Sequence, residues 1–143
     1  DILQVEAPLS EELLLRRIVW YFDREKVTKV VWQAYEQQMQ GYQHYGIIRR
    51  NGFLYLDNSK EIQFRIPGDL KCEIKQIAPE ELAAGMLEIL RQNIMADKSG
   101  LYRSLASQCG ISRVCKAMNE ILDSALRLLE HSITIEGDQI SLK

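Results

Sequence analysis

The feature that most constrains the fold of this chain is an internal repeat with a spacing of 87 residues. Placing Leu14 on Leu101 brings apolar positions into agreement over about forty residues, and a one-residue slip then places Leu56 on Leu142. Self-similarity at a fixed spacing is typical of duplicated structural units, but two copies are too few for a solenoid. The sequence therefore predicts two similar small domains in tandem.

Each copy begins with two predicted helices, a short one and a longer one, because apolar residues recur at steps of three and four. The predicted ranges are residues 10–21 and 25–42 in the first copy and residues 99–108 and 112–129 in the second. Ser10 and Ser99 are the expected N-caps of the short helices, since a serine hydroxyl can accept a hydrogen bond from an unpaired amide. The predicted buried stripe of the first long helix consists of Val27, Val30, Val31, Ala34 and Tyr35.

Each copy ends with a predicted β-hairpin. The predicted strands are residues 46–49 and 53–56 in the first copy and residues 132–135 and 139–142 in the second. Asn51-Gly52 separates the first pair of strands and is the strongest short signal for a hairpin, while Gly137 lies in the turn of the second.

A further helix is predicted ahead of the second copy, where Pro79 suits a first helical turn and a stripe of leucine and methionine follows. The order helix, helix, helix, hairpin is typical of a winged helix, a relative of the helix-turn-helix. We therefore predict a mainly α fold with small β-hairpins, of the α+β class, built as tandem winged-helix-like domains. The first copy would lack most of its leading helix, which indicates a piece of a longer protein.

The domain boundaries follow from the repeat. Residues 1–58 are the predicted first winged-helix-like domain, residues 59–77 an extended or β linker, and residues 78–143 the second domain. In the linker, apolar and polar residues alternate on both sides of a Pro-Gly-Asp turn signal. The pattern fits either two strands, which could pair as a hairpin, or one extended connector.

Composition excludes several classes of protein. Apolar residues make up 46% of the 143 residues and the formal charge is −2, which excludes a disordered chain and makes a bulk polyanion binder unexpected. No stretch approaches the roughly 18 apolar residues of a membrane span, so no membrane partner is expected. The three cysteines are odd in number and form no Cys-x-x-Cys pair, so we interpret them as reduced, mostly buried thiols of a cytoplasmic protein.

The sequence contains no constellation that carries out bond-making chemistry. It has no phosphate-binding loop of the Gly-x-x-x-x-Gly-Lys type and no Gly-x-Gly-x-x-Gly motif. Its histidines and cysteines are too few and too scattered for a zinc site. We therefore expect no catalytic residue, no metal and no cofactor in this piece of chain, which is not expected to be an enzyme by itself.

Nucleic-acid contact is the sharper hypothesis, because the N-terminal part of the last helix of a helix-turn-helix approaches the major groove. The candidate residues on this helix and on the hairpin tip are Arg24, Lys26, Lys29, Gln33, Arg49, Arg50 and Asn51. Such side chains supply phosphate contacts and base readout. The second copy carries Glu120, Asp123, Glu136 and Asp138 at the corresponding places, so we expect the first copy to bind. The alternative is an ordinary solvated helix face.

Aromatic residues concentrate in the first copy. Trp32 falls on the predicted polar side of its helix, where a large apolar group is unexpected, and Tyr42 and Tyr45 follow. We therefore predict these three residues as a partner-docking or base-stacking group. Packing against the linker is the alternative.

Three stretches together resemble a known family: Glu6–Ile18, Gly52–Tyr55 and Ile77–Gly85. They are similar to the domain of unknown function that closes many large bacterial superfamily I helicase-like proteins, where it usually follows a restriction-endonuclease-like (Vsr-type) nuclease domain. The resemblance implies a non-catalytic C-terminal accessory module within an ATP-dependent helicase or nuclease, with DNA and the parent's other domains as partners. A protein-docking or autoregulatory module is the alternative function.

Overall fold

The chain divides into two compact units, Asp1–Lys60 and Glu61–Lys143, which we call unit 1 and unit 2. The computed structural model describes residues 6–22, 26–40, 46–57, 62–65 and 73–143. In these residues both units combine α-helices with a three-stranded antiparallel sheet. The predicted α+β class is therefore confirmed.

The described residues of unit 1 form two helices and one sheet. Its elements are β1 (Leu9–Ser10), α1 (Glu11–Tyr21), α2 (Lys29–Met39), β2 (Ile47–Arg50) and β3 (Phe53–Leu56). The sheet order is β1-β3-β2, so that β3 is the central strand and pairs antiparallel with both neighbours.

The β2–β3 hairpin turns where the sequence predicted it. Asn51 and Gly52 have φ angles of 51° and 81°, as the type I′ turn that favours Asn-Gly requires at both central positions. The carbonyl of Gly52 accepts a hydrogen bond of 2.9 Å from the backbone N–H of Glu11. This bond joins the turn to the first residue of α1.

In unit 2 the same arrangement follows a 3-10 turn and a long helix. Its elements are a 3-10 turn (Ile74–Gln76), α3 (Pro79–Asn93), β4 (Met95–Asp97), α4 (Lys98–Gln108), α5 (Lys116–Arg127), β5 (Ile133–Glu136) and β6 (Gln139–Leu142). The sheet order is β4-β6-β5, the same order as in unit 1.

The N-caps of α1 and α4 lie 87 residues apart, at Ser10 and Asp97. The prediction that Ser99 caps α4 is therefore wrong. The Asp97 carboxylate accepts from the Gly100 amide at 3.3 Å, and the hydroxyl of Ser99, the second residue of the helix, donates to the same carboxylate at 2.9 Å. The hydroxyl of Ser99, and then the amide of Gly100, lower the pKa of Asp97.

The two longer helices are shorter than predicted. The helix α2 begins after its N-cap Thr28, whose hydroxyl accepts from the Val31 amide, and α5 begins after Cys115. Cys115 is exposed, which corrects its prediction as a buried thiol, because it precedes the first turn of α5 rather than lying in it.

Neither described part of the stretch between the repeats forms the predicted strands. Residues 62–65 have no regular secondary structure, and the rest of the first alternating run lies outside the described residues. Ile74 begins a 3-10 turn, in which residues three apart share a face, so Ile74 and Ile77 are both buried. Glu73 and Gln76 close this turn with a capping box.

Residues 62–65 contact α3 within unit 2. The buried carboxylate of Glu81 accepts from the backbone N–H of Arg65 at 3.2 Å and from its Nε at 3.0 Å. Arg65 thereby supplies both a partner and hydrogen bonds to a carboxylate that would be costly to bury alone.

The core of unit 2 is organised around α3. Its Leu82, Met86 and Leu90 are fully buried in one cluster with residues of α4, α5 and the hairpin. Gly85 lies at the closest approach, because a Cβ at this position would come within 2.7 Å of Leu105 Cδ1. The absence of a side chain at Gly85 therefore lets α4 lie directly against α3.

Unit 1 buries one side of α1 and the central strand, but it buries no residue of α2. The predicted buried stripe on this helix is therefore wrong, and Val30 is 72% exposed. The physical reason is that spacing at steps of three and four marks one face of a helix but does not determine whether another element covers that face.

In the described part of the chain, no helix combines the length and the apolar character needed to cross a bilayer.

The different burial of equivalent side chains in the two units predicts different losses of stability when the same repeat position is truncated to alanine. Leu105→Ala removes a fully buried side chain and should cost unit 2 about 2–5 kcal/mol. Ile18→Ala, at the equivalent position of unit 1, should cost about 1 kcal/mol or less because Ile18 is 38% exposed. Urea unfolding followed by circular dichroism and by tryptophan fluorescence measures both losses. Equal losses of stability would contradict the difference in burial between Leu105 and Ile18.

Candidate nucleic-acid interface

The predicted nucleic-acid residues of unit 1 divide between the start of α2 and the β2–β3 hairpin. Lys26, Lys29 and Gln33 are exposed, and Lys29 is the first residue of α2. Lys29 and Gln33 are four residues apart, so they share a helix face. Arg24 lies outside the described residues.

The hairpin separates its two arginines. Successive side chains of a strand point to opposite faces, so Arg49 and Arg50 do not form one basic patch. The guanidinium of Arg50 lies over the ring of Tyr55, 4.6 Å from its centroid. Asn51 is exposed at the turn.

Arg49 joins the hairpin to both helices of unit 1. Its Nε pairs with the carboxylate of Glu11 at the start of α1, and its guanidinium forms a two-pronged ion pair with Glu36 of α2, with Nη1 2.8 Å from Oε2. The Tyr35 hydroxyl donates to Glu11 Oε1 at 2.9 Å. We call these four residues the Arg49 cluster.

The burial of Glu11 explains why the Arg49 cluster is needed. The side chain of Glu11 is 6% exposed, and a buried carboxylate is costly without a charged partner and hydrogen bonds. The hydrogen bond from Arg49 lowers the pKa of Glu36, and burial together with the bond to Glu11 raises the pKa of Tyr35. Near neutral pH Glu36 is therefore ionised beside Arg49, and Tyr35 is a neutral phenol that can donate to Glu11.

Arg49 was predicted to contact nucleic acid from the hairpin tip, but the structure places its guanidinium against the two helices of unit 1. Its guanidinium already satisfies two carboxylates and is directed at the helices, not at the hairpin tip. The sequence did not predict these ion pairs, because Glu11 and Glu36 are distant from Arg49 in sequence. Strand alternation alone, however, was enough to predict that Arg49 and Arg50 lie on opposite faces.

The predicted docking group is described only at Trp32, because Tyr42 and Tyr45 lie outside the described residues. Trp32 is half-buried and meets the ring of Tyr35 edge-on, with the ring centroids 5.8 Å apart. It therefore packs beside the Arg49 cluster.

The end of α1 exposes aromatic side chains that were not predicted as a docking group. Trp20, Tyr21 and Phe22 are 76%, 79% and 68% exposed, and the last two rings contact each other edge-on. Their counterparts in the second copy are Ser107, Gln108 and Cys109. The replacement of these smaller or polar residues by three aromatic ones was a sequence signal that could have predicted an exposed aromatic group.

The corresponding region of unit 2 is acidic. A cavity of about 380 Å³ is lined by Asp97, Asp123, Asp138 and Lys98, among others. Lys98 Nζ lies 3.0 Å from Asp123, and the Tyr102 hydroxyl donates to the same carboxylate at 2.5 Å. Hydrogen bonds from Tyr102 and Lys98 lower the pKa of Asp123. The lining thus contains three acidic residues and one lysine. This surface would repel phosphate.

Comparison of the chain with protein-family models, with curated proteins and with solved structures found no match in any of the three. Its function therefore has to be inferred from the chemistry of its own surface.

The Arg49 cluster predicts that Arg49 contributes more to stability than its neighbour. Arg49→Gln removes the charged partner that the described residues provide for the buried side chain of Glu11 and should destabilise unit 1 by about 1–3 kcal/mol. Adding Glu11→Gln should restore part of this loss, because no buried charge then remains. Tryptophan-detected urea unfolding measures both variants, since both tryptophans lie in unit 1. Arg50→Gln is the control, and an equal loss there would contradict the cluster.

The lowered pKa of Glu36 predicts the acid sensitivity of unit 1. A carboxyl group whose pKa is lowered by folding stabilises the fold above its ordinary pKa of 4.5, and that stabilisation disappears as the pH falls through the lowered value. Glu36→Gln should therefore flatten the loss of stability between neutral and acid pH. Unfolding measured from pH 7 to pH 3 tests this, with Glu12→Gln as an exposed control. Identical pH profiles for the wild type and Glu36→Gln would count against the ion pair.

Proposed function

We propose that each unit is a winged-helix domain and that the chain is a non-catalytic module that binds or orients DNA through unit 1. The element order of unit 2 supports the first part: helix, strand, helix, helix and hairpin, with the first strand paired to the last. Unit 1 has the same order from β1 onwards.

The observation that carries the DNA proposal is the exposed basic and amide chemistry at the start of α2. Lys29 occupies the first helical position, where unpaired N–H groups and the helix dipole already create positive potential. A lysine at this end does not favour the helix, but it adds to the attraction for a phosphate. Gln33, one turn along the same face, is suited to read a base edge.

The hairpin adds a second contact. Arg50, supported by the ring of Tyr55, and Asn51 at the turn are suited to bind a neighbouring phosphate. Arg49 acts as a positioning residue, because its ion pairs with Glu11 and Glu36 fix the hairpin relative to the start of α1 and to α2. The distance between helix contacts and hairpin contacts is thereby set.

The overall charge indicates moderate affinity. Residues 1–60 contain eight basic and eight acidic residues, whereas residues 61–143 contain ten basic and twelve acidic ones. Since phosphate neutralisation supplies most non-specific affinity, DNA binding is expected mainly at low salt. The resemblance to the C-terminal domain of bacterial helicase-like proteins supplies the context, in which the parent protein provides catalysis and this module provides contacts.

Reversing three charges tests the proposal. Lys26→Glu, Lys29→Glu and Arg50→Glu together should abolish binding to a short duplex and, where binding persists, lower the salt slope by roughly 2 to 3. Fluorescence anisotropy in 20–300 mM salt measures both quantities. The matched control is Arg113→Glu with Lys116→Glu, at the positions of unit 2 that correspond to Lys26 and Lys29.

The two variants distinguish the units. Retained binding in the control and lost binding in the triple variant support unit 1 as the DNA surface. Absence of any binding by the wild type at 20 mM salt, or equal affinity of wild type and triple variant, would remove the DNA function.

A docking or autoregulatory module is the second candidate, favoured by the exposed aromatic residues at the end of α1. Replacing Trp20 and Tyr21 by the residues of the second copy, Ser and Gln, should then abolish self-association or binding to the parent's other domains while DNA affinity stays unchanged. Sedimentation and pull-down measure this. If neither association occurs in the wild type, docking is excluded.

A further inference from the structure

The end of α1 presents three aromatic rings to solvent, although the same helix buries Leu15 and Val19 on its inner side. Trp20 and Tyr21 are the last two residues of α1, and consecutive helical residues point about 100° apart. The ring of Phe22 meets the ring of Tyr21 edge-on, with the centroids 5.4 Å apart. Large exposed rings at one place on a surface typically mark a binding site.

The second copy shows that these positions lie on the outside of a unit. Ser107 and Gln108, the counterparts of Trp20 and Tyr21, are exposed although α3 packs against Leu105 of the same helix. A helix packed on unit 1 as α3 packs on unit 2 would therefore leave both rings in solvent. Packing within a unit of this fold does not account for them.

The rings adjoin the basic start of α2. Residues 16–29 contain five basic and two acidic residues, a net charge of +3, and Lys26 and Lys29 are exposed. Phe22 and Lys26 are four residues apart, which limits the distance between their Cα atoms to about 14 Å. That distance is the rise of about four stacked bases along one strand. A DNA strand held at the lysines can therefore reach the rings within a few nucleotides.

Aromatic rings beside cations match the chemistry of a single nucleic-acid strand. Each nucleotide of such a strand offers the flat face of a base for stacking and a negative phosphate for a lysine. In a duplex the bases stack on one another, so that only their edges are accessible in the grooves. The rings of Trp20 and Tyr21 are therefore suited to unpaired bases.

We propose that Trp20 and Tyr21 form a stacking site for unpaired bases of a DNA strand whose duplex part contacts the start of α2. This inference rests on the proposed DNA function and deepens it, because it names the form of DNA that is bound: a duplex that continues into a single-stranded overhang. Phe22 orients the ring of Tyr21 through their edge-on contact.

Three DNA ligands that share one duplex test the site. The first is a blunt duplex of about 12 base pairs, and the second carries about six unpaired thymidines at its 5′ or its 3′ end. The third has the same overhang built from abasic nucleotides, which keep the phosphates but remove the bases. In fluorescence anisotropy at 20 mM salt, the natural chain should bind one thymidine overhang at least about fivefold more tightly than its abasic counterpart.

Three double variants separate stacking from apolar contact. Trp20→Ser with Tyr21→Gln, the residues of the second copy, should abolish the preference for thymidine over abasic overhangs and leave affinity for the blunt duplex unchanged. Trp20→Phe with Tyr21→Phe should keep most of the preference, because flat rings remain. Trp20→Leu with Tyr21→Leu should lose it, because leucine preserves apolar area but cannot stack. Circular dichroism checks that each variant is folded.

The outcomes distinguish this site from the duplex contact. Equal affinity of the natural chain for thymidine and abasic overhangs, with blunt duplex still bound, would overturn the stacking site and leave the proposed DNA function standing. A thymidine preference that survives Lys26→Glu, Lys29→Glu and Arg50→Glu would support the rings and overturn the duplex contact. Absence of binding to all three ligands would overturn both.

Protein docking through the same rings is also decided by these variants. If Trp20→Ser with Tyr21→Gln abolishes self-association, measured by sedimentation, while the thymidine preference is unchanged, the rings bind protein and the stacking site is overturned. If the Leu variants keep the thymidine preference, flat rings are not required and the stacking site is likewise overturned.

Discussion

The packing of a third helix over a helix pair is the constraint on which the architecture of this chain depends. In unit 2, α3 brings its leucine and methionine stripe against α4 and α5, and Gly85 permits the close approach of Leu105. The result is one apolar cluster that reaches from the 3-10 turn to the hairpin. In unit 1 the described residues include no such helix, and α2 contributes no buried side chain. Within the described residues, the packing of α3 thus distinguishes the closed core of unit 2 from the more exposed helix pair of unit 1.

The two copies solve one electrostatic problem in different ways. At the start of the first repeated helix, unit 1 has Glu11 and unit 2 has Lys98. In the middle of the next helix, unit 1 has Glu36 and unit 2 has Asp123. The acids cannot pair with each other, so Arg49 of the hairpin bridges them. In unit 2 the two helices pair directly. The divergence of one residue, from acid to lysine, thus removes the requirement for an arginine in the hairpin.

The elements that could be predicted from sequence are those with local causes. Asn51-Gly52 determines its turn because both residues tolerate positive φ, and Pro79 begins its helix as expected. The third strand of each sheet was missed, because two or three residues are too few to show alternation and their partners lie far along the chain. The ion pairs of Arg49 could not be predicted, because they depend on residues that only the fold brings together. The exposure of α2 could not be predicted either, because periodicity marks an apolar face without showing whether another element covers it.

The position of β2 has a consequence for how the protein behaves at high concentration. Among the described strands, β2 lies at the edge of its sheet, and no described strand pairs with its outer row of backbone N–H and C=O groups. Such an edge can accept a strand from another molecule and seed aggregation, unless charged side chains guard it. Arg49 and Arg50 occupy the last two positions of β2. Two positive charges at the end of this edge strand thereby discourage edge-to-edge polymerisation.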